Sequence, residues 1–375
     1  RLLSGRITPD TTLVNLRSGK TAKAGHIYVM QGKQQEEVSE AIAGDIVAIA
    51  KFDDLHVSDT VSNVGGNTTI AALRVRPISF PTPMVPRAVE PKAREDETKI
   101  SMGLAKIADE DPTFTYRRDT QTHELVISGM SELHLDIIQQ RLKNRYKLDV
   151  NTHVPHVPYL ETIQGNAEAS HRHKKQTGGR GQFGVCYIDI SPLPRGGGFE
   201  FEDAIVGGAI PRQFIPAIEK GMRARMAKGV IAGYPVTDVK VRLFDGKYHD
   251  VDSDSRSFEI AGSKGFQAAF KQAKPCLLEP IMKIHVTCPD DCMGDVIGDL
   301  NQRRGRVEGM ESNGKQQVIR ATVPMSETLK YSSDLRSITG GRGSFTLEFS
   351  HYDELPANLM EKVVAEAKVA ADEEE

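Results

Sequence analysis

A basic, glycine-rich segment, HRHKKQTGGRGQFG (171–184), carries the residue types that could contact RNA. Glycine lets a backbone approach a phosphate group closely, and arginine offers a planar fork of donors to phosphates or base edges. The lysines and histidines beside the glycines add positive charge and further donors. By itself this pattern fits an RNA-contacting loop and a solvated loop equally well.

A second polar segment contains three alternating aspartates, Asp250, Asp252 and Asp254. Their spacing matches the first ligands of an EF-hand calcium loop, which also needs a glycine at its sixth position and a glutamate at its last. Those positions hold Ser255 and Ala261. The segment is therefore predicted to be an exposed turn between a strand and a helix, and polar loop tips are where functional contacts concentrate.

Two further patterns predict structure rather than chemistry. The octapeptide GMESNGKQ (309–316) nearly matches a phosphate-binding loop, but Gln316 replaces the hydroxyl that binds Mg²⁺, and Asn-Gly is typical of a hairpin turn. The four cysteines are too few for a disulfide framework, and no second pair at zinc spacing follows the last two. We predict reduced thiols at Cys186, Cys276, Cys288 and Cys292, and neither a metal site nor a cofactor in this chain.

Composition predicts a folded protein of several domains. The chain has 375 residues, of which 39% are hydrophobic and 26% charged, and single cores rarely exceed about 300 residues. No apolar run approaches the about 20 residues of a membrane helix, and no signal-peptide pattern is present, which predicts a cytoplasmic protein. With a net charge of −3, any RNA contact must be local. Because Arg1 is not preceded by an initiator Met, we expect a fragment of a longer protein.

The pattern of apolar segments predicts four domains. Short apolar segments between turn-rich stretches, such as VGGNTT, indicate a β-barrel, which a proline-rich connection at 80–92 ends. Two later parts predict ferredoxin-like β-α-β-β-α-β folds, and the part between them predicts a separate α+β domain with helices at 211–229 and 258–273. The predicted domains are 1–82 (barrel), 83–158 (ferredoxin-like), 159–280 (α+β) and 281–375 (ferredoxin-like with a C-terminal helix).

The two ferredoxin-like parts are predicted to be copies of one fold, because their element orders match and both second helices open with Met-Ser-Glu, at 130–132 and 325–327. In the first copy, apolar spacing places Leu133, Ile137, Ile138 and Leu142 on one face of the second helix. The predicted elements are helix 100–112, hairpin 114–129 and helix 130–150 in the first copy, and strand 281–289, helix 293–304, hairpin 305–324, helix 325–339 and strand 343–352 in the second.

Several segments together resemble the elongation factor G family of translational GTPases. They are SGRITPDTTLVN (4–15), EDPTF (110–114), ISGMSELHLDII (127–138), KKQTGGRGQFG (174–184), GYPVTDVKVRLFDGKYHDVDS (233–253), KPCLLEPIMK (274–283) and GDVIGDLNQRRGRVEG (294–309). They follow the family's order over almost the whole chain. The resemblance implies the bacterial-type factor's domains II to V, in which domain IV is a protruding domain like the second domain of ribosomal protein S5.

The resemblance also implies a function for the two polar segments. In this family the protruding domain enters the decoding region of the ribosome, where two tip loops keep transfer RNA and messenger RNA moving together. The matching loops are 176–182 and 249–253, which we expect to lie side by side in a monomer that binds the ribosome. The implied RNA-contacting residues are Gln176, Gly178, Gly179, Arg180, Gly181, Gln182, His249, Asp250, Val251 and Asp252.

Two other functions compete with translocation. A paralogue acting in ribosome recycling or ribosome protection shares this domain plan, although both tip loops keep the translocase-like form. From another class, an RNA-processing enzyme on the S5-like fold could hold Mg²⁺ between Asp250, Asp252 and Asp254. Such a site needs converging carboxylates, which alternating positions on one loop rarely supply.

The sequence has no phosphate loop, no DxxG and no NKxD guanine-reading motif. We therefore expect no catalytic centre in this chain, and we expect GTP and Mg²⁺ to bind a GTPase domain elsewhere in the parent protein. The chain by itself should neither bind nor hydrolyse GTP, and equilibrium binding with labelled nucleotide checks this. A micromolar dissociation constant would contradict it.

Overall fold

The computed structural model describes residues 1–63, 74–176 and 181–373. The chain divides into two compact units, one made of 1–83, 91–116 and 127–151 and the other of 84–90, 117–126 and 152–375. The predicted turn-rich stretch VGGNTT lies outside the described residues. Among the helices in the described ranges, none is both long and apolar enough to cross a bilayer.

The N-terminal part consists of short antiparallel strands around one small core. Leu13 and Ile27 are buried at its centre. The strands pair in three sheets, in the orders β1-β6, β3-β2-β8 and β5-β4-β7. They are β1 Arg6–Ile7, β2 Thr12–Asn15, β3 Thr21–Lys23, β4 Ile27–Gln31, β5 Gln34–Val38, β6 Ala41–Ile42, β7 Ala48–Ile49 and β8 Val61–Ser62.

The next elements follow the predicted β-α-β-β-α-β order. They are β9 Val85–Pro91, α1 Glu97–Glu110, β10 Thr115–Arg118, β11 Leu125–Gly129, α2 Glu132–Tyr146 and β12 Val150–His153. The strands form one sheet in the order β10-β11-β9-β12. The turn between β10 and β11 is closed by Asp119, whose Oδ1 accepts the backbone N–H groups of Gln121 at 2.9 Å and Thr122 at 3.0 Å.

The buried face of α2 differs from the predicted one. Leu135, Ile138 and Leu142 are buried, whereas Leu133 and Ile137 are 66% and 40% exposed. Leu133 is only two positions from Leu135, which places them about 200° apart around the helix. The prediction was wrong because this helix carries apolar residues on two sides. Ile138 and Leu142 belong to both the predicted face and the buried face, which made the wrong face look continuous.

The central domain places two helices on one four-stranded sheet. Its elements are β13 Leu160–Ile163, β14 Ala167–Lys175, β15 Gln182–Pro192, β16 Phe199–Asp203, α3 Ile215–Lys228, β17 Val239–Lys247 and α4 Ser255–Gln272. The sheet order is β14-β15-β17-β16, and β16 pairs with β17 in parallel. Ile188 and Val241, which alternation turns inward, pack in the core with Phe258 and Phe266 of α4.

Two glycines let α3 and α4 approach at backbone distance. A Cβ atom at Gly221 would overlap the carbonyl oxygen of Glu259, and one at Gly262 would lie 2.6 Å from the carbonyl oxygen of Ile218. Such distances are far below ordinary van der Waals contact. Any larger residue at either position would therefore push the two helices apart.

A buried carboxylate holds the loop that follows α3. Glu161 of β13 is fully buried. Its Oε2 accepts the N–H of Val230 at 2.6 Å and of Ile231 at 3.0 Å, and its Oε1 accepts the N–H of Ala232 at 2.8 Å and of Tyr234 at 3.2 Å. Four backbone donors of a partly buried loop are thereby satisfied by one side chain.

The C-terminal domain repeats the topology of residues 85–153. Its elements are β18 Pro275–Pro289, α5 Met293–Gln302, β19 Arg306–Asn313, β20 Gln316–Pro324, α6 Met325–Thr328, α7 Tyr331–Thr339, β21 Ser344–Glu354 and the C-terminal helix α8 Ala357–Glu373. Four strands lie in the order β19-β20-β18-β21, the counterpart of β10-β11-β9-β12. The predicted repeat of one fold is confirmed.

The second helix of this copy is broken, although the sequence predicted one helix at 325–339. α6 ends at Thr328, whose hydroxyl donates to the carbonyl oxygen of Met325 at 2.8 Å. Such side-chain bonds compete with the helix's own backbone bonds. After the break, Tyr331 begins α7 and is fully buried.

All four cysteines are free and buried. Burial raises the pKa of Cys186 to about 12 and that of Cys276 to about 11. These two thiols are therefore protonated at neutral pH.

The carboxylate at Glu161 gives the first prediction for the structure. In Glu161→Gln, an NH₂ group would face backbone N–H donors, which costs roughly 2 kcal/mol for the lost charged hydrogen bonds. Amide exchange in 230–234 should then be about 30-fold faster, as hydrogen exchange with mass spectrometry would show. Glu200→Gln on β16 is the matched control, because that side chain is 59% exposed. Equal exchange in both variants would contradict the assigned role.

Candidate nucleic-acid interface

The basic segment lies on a β-hairpin formed by β14 and β15. Antiparallel pairing sets Lys175 opposite Gln182 at the end of the hairpin. The side chains of Arg172, Lys174 and Lys175 are exposed. His173 is half-buried, and its Nε2 lies 2.9 Å from Oε1 of Gln182 across the hairpin. The hairpin therefore presents positive charge along β14 up to its tip.

The structure places only the two ends of the first predicted tip loop. Gln176 follows β14 and is exposed, and Gly181 precedes β15 and is buried. The predicted contact residues Gly178, Gly179 and Arg180 lie outside the described residues. Their assignment to an RNA contact stays a prediction.

The second predicted tip loop connects β17 to α4 and is closed by its own hydrogen bonds. Ser253 donates its backbone N–H to the carbonyl oxygen of His249 at 3.0 Å, and His249 donates its N–H to Oγ of Ser253 at 2.9 Å. These bonds tie the two ends of the loop together. Asp250 and Val251 stand between those ends with exposed side chains.

Three direct hydrogen bonds join the second loop to Gly181 of the first loop and to Phe183, the residue that follows it. The N–H of Gly181 donates to Oδ1 of Asp252 at 3.0 Å. The N–H of Phe183 donates to the carbonyl oxygen of Asp252 at 2.9 Å, and the hydroxyl of Ser253 donates to the carbonyl oxygen of Phe183 at 2.8 Å. The described end of the first loop and the base of the second therefore form one polar surface.

Glycine at position 181 is required by this junction. A Cβ atom there would lie 2.9 Å from Cγ of Asp252. A larger residue would displace the carboxylate that accepts the N–H of Gly181 itself. The glycine thus serves the contact between the loops.

His249 presents a hydrogen-bond donor at this surface. Its Nδ1 accepts the backbone N–H groups of Val251 at 3.3 Å and Asp252 at 3.2 Å, so the neutral ring carries its proton on Nε2. The side chain is 56% exposed. A shallow pocket of ≈ 530 Å³, lined by Phe214 and Tyr248 among others, opens beside the ring.

The three alternating aspartates have different environments. Asp252 binds Gly181, and Asp254 caps α4 by accepting the N–H of Ser257 at 2.7 Å. Asp250 is exposed at the loop tip. Within the described ranges, these carboxylates do not gather into a group that could hold a metal ion. The arrangement lacks the convergence that a Mg²⁺-dependent enzyme would need.

Sequence reasoning missed the role of Phe183. Its backbone pairs with both Asp252 and Ser253, and its ring lies 5.6 Å from the guanidinium carbon of Arg172 and 6.3 Å from the ring of His249. The signal available was an aromatic residue among glycines and basic residues, a combination that often stacks on cations or bases.

Four family models match successive parts of the chain. They are Elongation factor G domain 2 at 1–64, Elongation Factor G, domain III at 80–154, Elongation factor G, domain IV at 155–274 and Elongation factor G C-terminus at 276–363. The chain belongs to the elongation factor G family. Both predicted tip loops fall within the domain IV match, and none of the four matches is to a GTPase domain.

Individual relatives agree with this assignment. The Elongation factor G-like protein of Thermotoga maritima is 46% identical over 376 residues, which cover 100% of this chain and 54% of the relative. A crystal structure of a Thermus thermophilus protein superposes with a TM-score of 0.79 at 40% identity, covering 97% of this chain and 54% of the other. The chain spans about half the length of the proteins it matches. The predicted fold class, a multidomain α+β protein with ferredoxin-like domains, is confirmed.

The junction between the loops predicts effects of different size for two substitutions of one residue. Asp252→Ala removes the acceptor for the N–H of Gly181, whereas Asp252→Asn keeps an oxygen there. We expect amide exchange at Gly181 to rise about fivefold in the alanine variant, as for a hydrogen bond worth about 1 kcal/mol, and to rise less in the asparagine variant. NMR exchange measurements on the two variants check this. Unchanged exchange in Asp252→Ala would show that the bond does not hold the loops together.

Proposed function

We propose that this chain is the ribosome-binding part of a translation factor that promotes GTP-dependent movement of transfer RNA and messenger RNA. The observation that carries the proposal is the junction in which Asp252 accepts the N–H of Gly181 and Ser253 binds Phe183. Two segments about 70 residues apart in sequence are thereby fixed as one surface within the family's domain IV. Two loops can act on one RNA site only when they are adjacent.

The charge of β14 supports contact with a nucleic acid. Within the described residues, no ion pair involves Arg172, Lys174 or Lys175, whereas Lys240 and Arg242 of β17 in the same sheet bind acidic side chains. Cations without acidic partners on one strand attract phosphates, and the net charge of −3 shows that this positive charge is local.

The second loop supports a different kind of contact. Asp250 at its exposed tip would repel phosphate, so this loop meets ribose hydroxyls or base edges instead. His249 offers its Nε2 proton to such acceptors, and RNA minor grooves display 2′-hydroxyls and base edges on a shallow surface. In this proposal Asp252 holds the shape of the loop rather than touching RNA, as its bond to Gly181 indicates.

The rest of the proposal concerns the longer protein. The partners are the ribosome, transfer RNA and messenger RNA in the cytoplasm, and the factor acts as a monomer. GTP and Mg²⁺ bind a GTPase domain outside this chain. The chain itself is proposed to hold no catalytic centre. The second candidate is a paralogue acting in ribosome recycling or protection, which fits the name of the relative, Elongation factor G-like protein, equally well.

The test compares His249→Ala with Val251→Ala in the full-length protein. Val251 is another predicted contact residue, 62% exposed on the same loop, but its side chain has no polar group, so the pair of variants separates loss of a hydrogen-bond donor from loss of apolar bulk. Loss of one well-placed polar contact should raise the translocation barrier by roughly 1–3 kcal/mol, or slow it by about one to two decades. Ribosome-stimulated GTP hydrolysis should stay nearly unchanged. Rapid-mixing measurements of messenger RNA movement and of phosphate release give the two rates.

Three results would overturn the proposal in its stated form. Equal loss of hydrolysis and translocation in His249→Ala would mean that His249 supports folding or ribosome binding. Equal slowing by both variants would mean that the loop's bulk matters rather than its donor. If the wild-type protein splits ribosomal subunits without measurable translocation, and His249→Ala slows that splitting, the protein is the recycling paralogue instead.

A further inference from the structure

A histidine-rich cluster lies far in sequence from the tip loops. Glu124 ends the turn that precedes β11, His153 ends β12, and His156 lies in the segment that leads to β13. Oε1 of Glu124 is 2.9 Å from Nε2 of His153 and 2.7 Å from Nδ1 of His156. One potential ligand atom from each residue lies within 4.8 Å of the other two. Nothing in the proposed function uses this cluster.

We propose that Glu124, His153 and His156 form a Zn²⁺ site. Two imidazoles and one carboxylate are a donor set that zinc uses with one position left for water, whereas calcium and magnesium prefer oxygen ligands alone. Zinc–ligand bonds near 2.1 Å in a tetrahedron place the ligand atoms about 3.4 Å apart. The present separations from Oε1 are therefore within about 0.7 Å of the required ones, a change that small side-chain rotations supply.

The carboxylate is already fixed in place. Its Oε2 accepts the backbone N–H of His156 at 2.9 Å, and the carbonyl oxygen of Glu124 accepts the N–H of Asp119 at 2.8 Å across the turn. A metal would replace the ring protons that now face Oε1, each of which leaves as H⁺ or moves to the other ring nitrogen.

Exposure differs among the three side chains in the way an accessible site requires. The side chain of Glu124 is 13% exposed and that of His153 33%, so both are held by their surroundings. That of His156 is 73% exposed, which leaves an entry path and room for a water ligand. The motif HVPH (153–156) supplies the two imidazoles from one short segment.

The site would fasten the segment before β13 to the β10–β11 turn. That segment is already held near the same turn by Tyr352 of β21, whose hydroxyl lies 3.2 Å from Oε1 of Gln121 and 3.1 Å from the carbonyl oxygen of Pro158. Bound Zn²⁺ would add a second link to the segment. The expected effect is structural: the metal rigidifies the chain between β12 and β13.

The experiment titrates Zn²⁺ into the chelator-treated chain and measures binding by calorimetry. A second titration uses Co²⁺ as a spectroscopic probe of the ligands. Wild type should bind one ion, with Co²⁺ absorption typical of nitrogen and oxygen ligands and without thiolate bands. His156→Gln should weaken this binding more than tenfold, since loss even of an outer partner of a ligand costs about 10–100-fold. His26→Gln is the matched control, because Nδ1 of His26 lies 2.6 Å from Oε1 of Glu37 and the pair belongs to no such three-residue group among the described residues.

Hydrogen exchange in 150–163 provides an independent readout, since bound Zn²⁺ should slow it in wild type and not in His156→Gln. Because His156 is exposed, its substitution leaves the fold intact, and His153→Gln tests the second imidazole. Equal Zn²⁺ affinity in wild type, His153→Gln and His156→Gln would overturn the proposal. So would a wild-type chain that binds no ion, in which case the three residues form a hydrogen-bonded cluster only.

Discussion

One continuous strand, β18, joins the central domain to the C-terminal domain. Its first residues pair with β13, its residues from Ile281 onward pair with β20, and residues 278–287 pair with β21. Leu278 pairs with both Leu160 and Glu354, so β13 and β21 lie on opposite edges of the strand. Bending between the two domains would break this ladder, and backbone hydrogen bonds buried away from water are costly to lose. The tip loops are therefore carried on a domain that is fixed to its neighbour by backbone pairing.

The same strand explains the main limit of reading the fold from the sequence. The sequence predicted a strand only from 281, whereas β18 begins at Pro275 and runs through Pro280, although proline removes a ladder donor. In the structure Pro280 falls in the gap between the β13 pairing, which ends at Leu278, and the β20 pairing, which starts at Ile281. One edge of the strand has no partner strand there among the described residues, so proline is tolerated. A local sequence pattern cannot reveal that proline is tolerated here, because the tolerance depends on where the pairing with β13 ends and the pairing with β20 begins.

Elsewhere the sequence predicted element order better than burial. Turn residues and apolar spacing were sufficient for the hairpin at Asp119 and for both β-α-β-β-α-β units, since those signals are local. The apolar face of α2 was not predictable in this way, because Leu133 and Leu135 are equally apolar and only packing selects one. The shared Met-Ser-Glu tripeptide also has two uses. Ser131 caps α2 by accepting the N–H of His134 at 3.1 Å, whereas Ser326 lies 3.2 Å from Nη2 of Arg304.

In the candidate sites, too, residue types are visible in the sequence, but the role of each residue depends on long-range contacts. Three aspartates of one loop looked equivalent in sequence, yet Asp252 binds a residue of another loop and Asp254 caps a helix, because each carboxylate meets different donors once the chain is folded. If the tip acts on RNA as proposed, the placement of its charges makes the surface selective. The cations of β14 attract the phosphate backbone, while Asp250 keeps phosphates away from His249. Only a ribose hydroxyl or a base edge can then accept the Nε2 proton. Attraction and discrimination are thus separated onto a strand and a loop, and the hydrogen bonds of Asp252 and Ser253 keep the two in register.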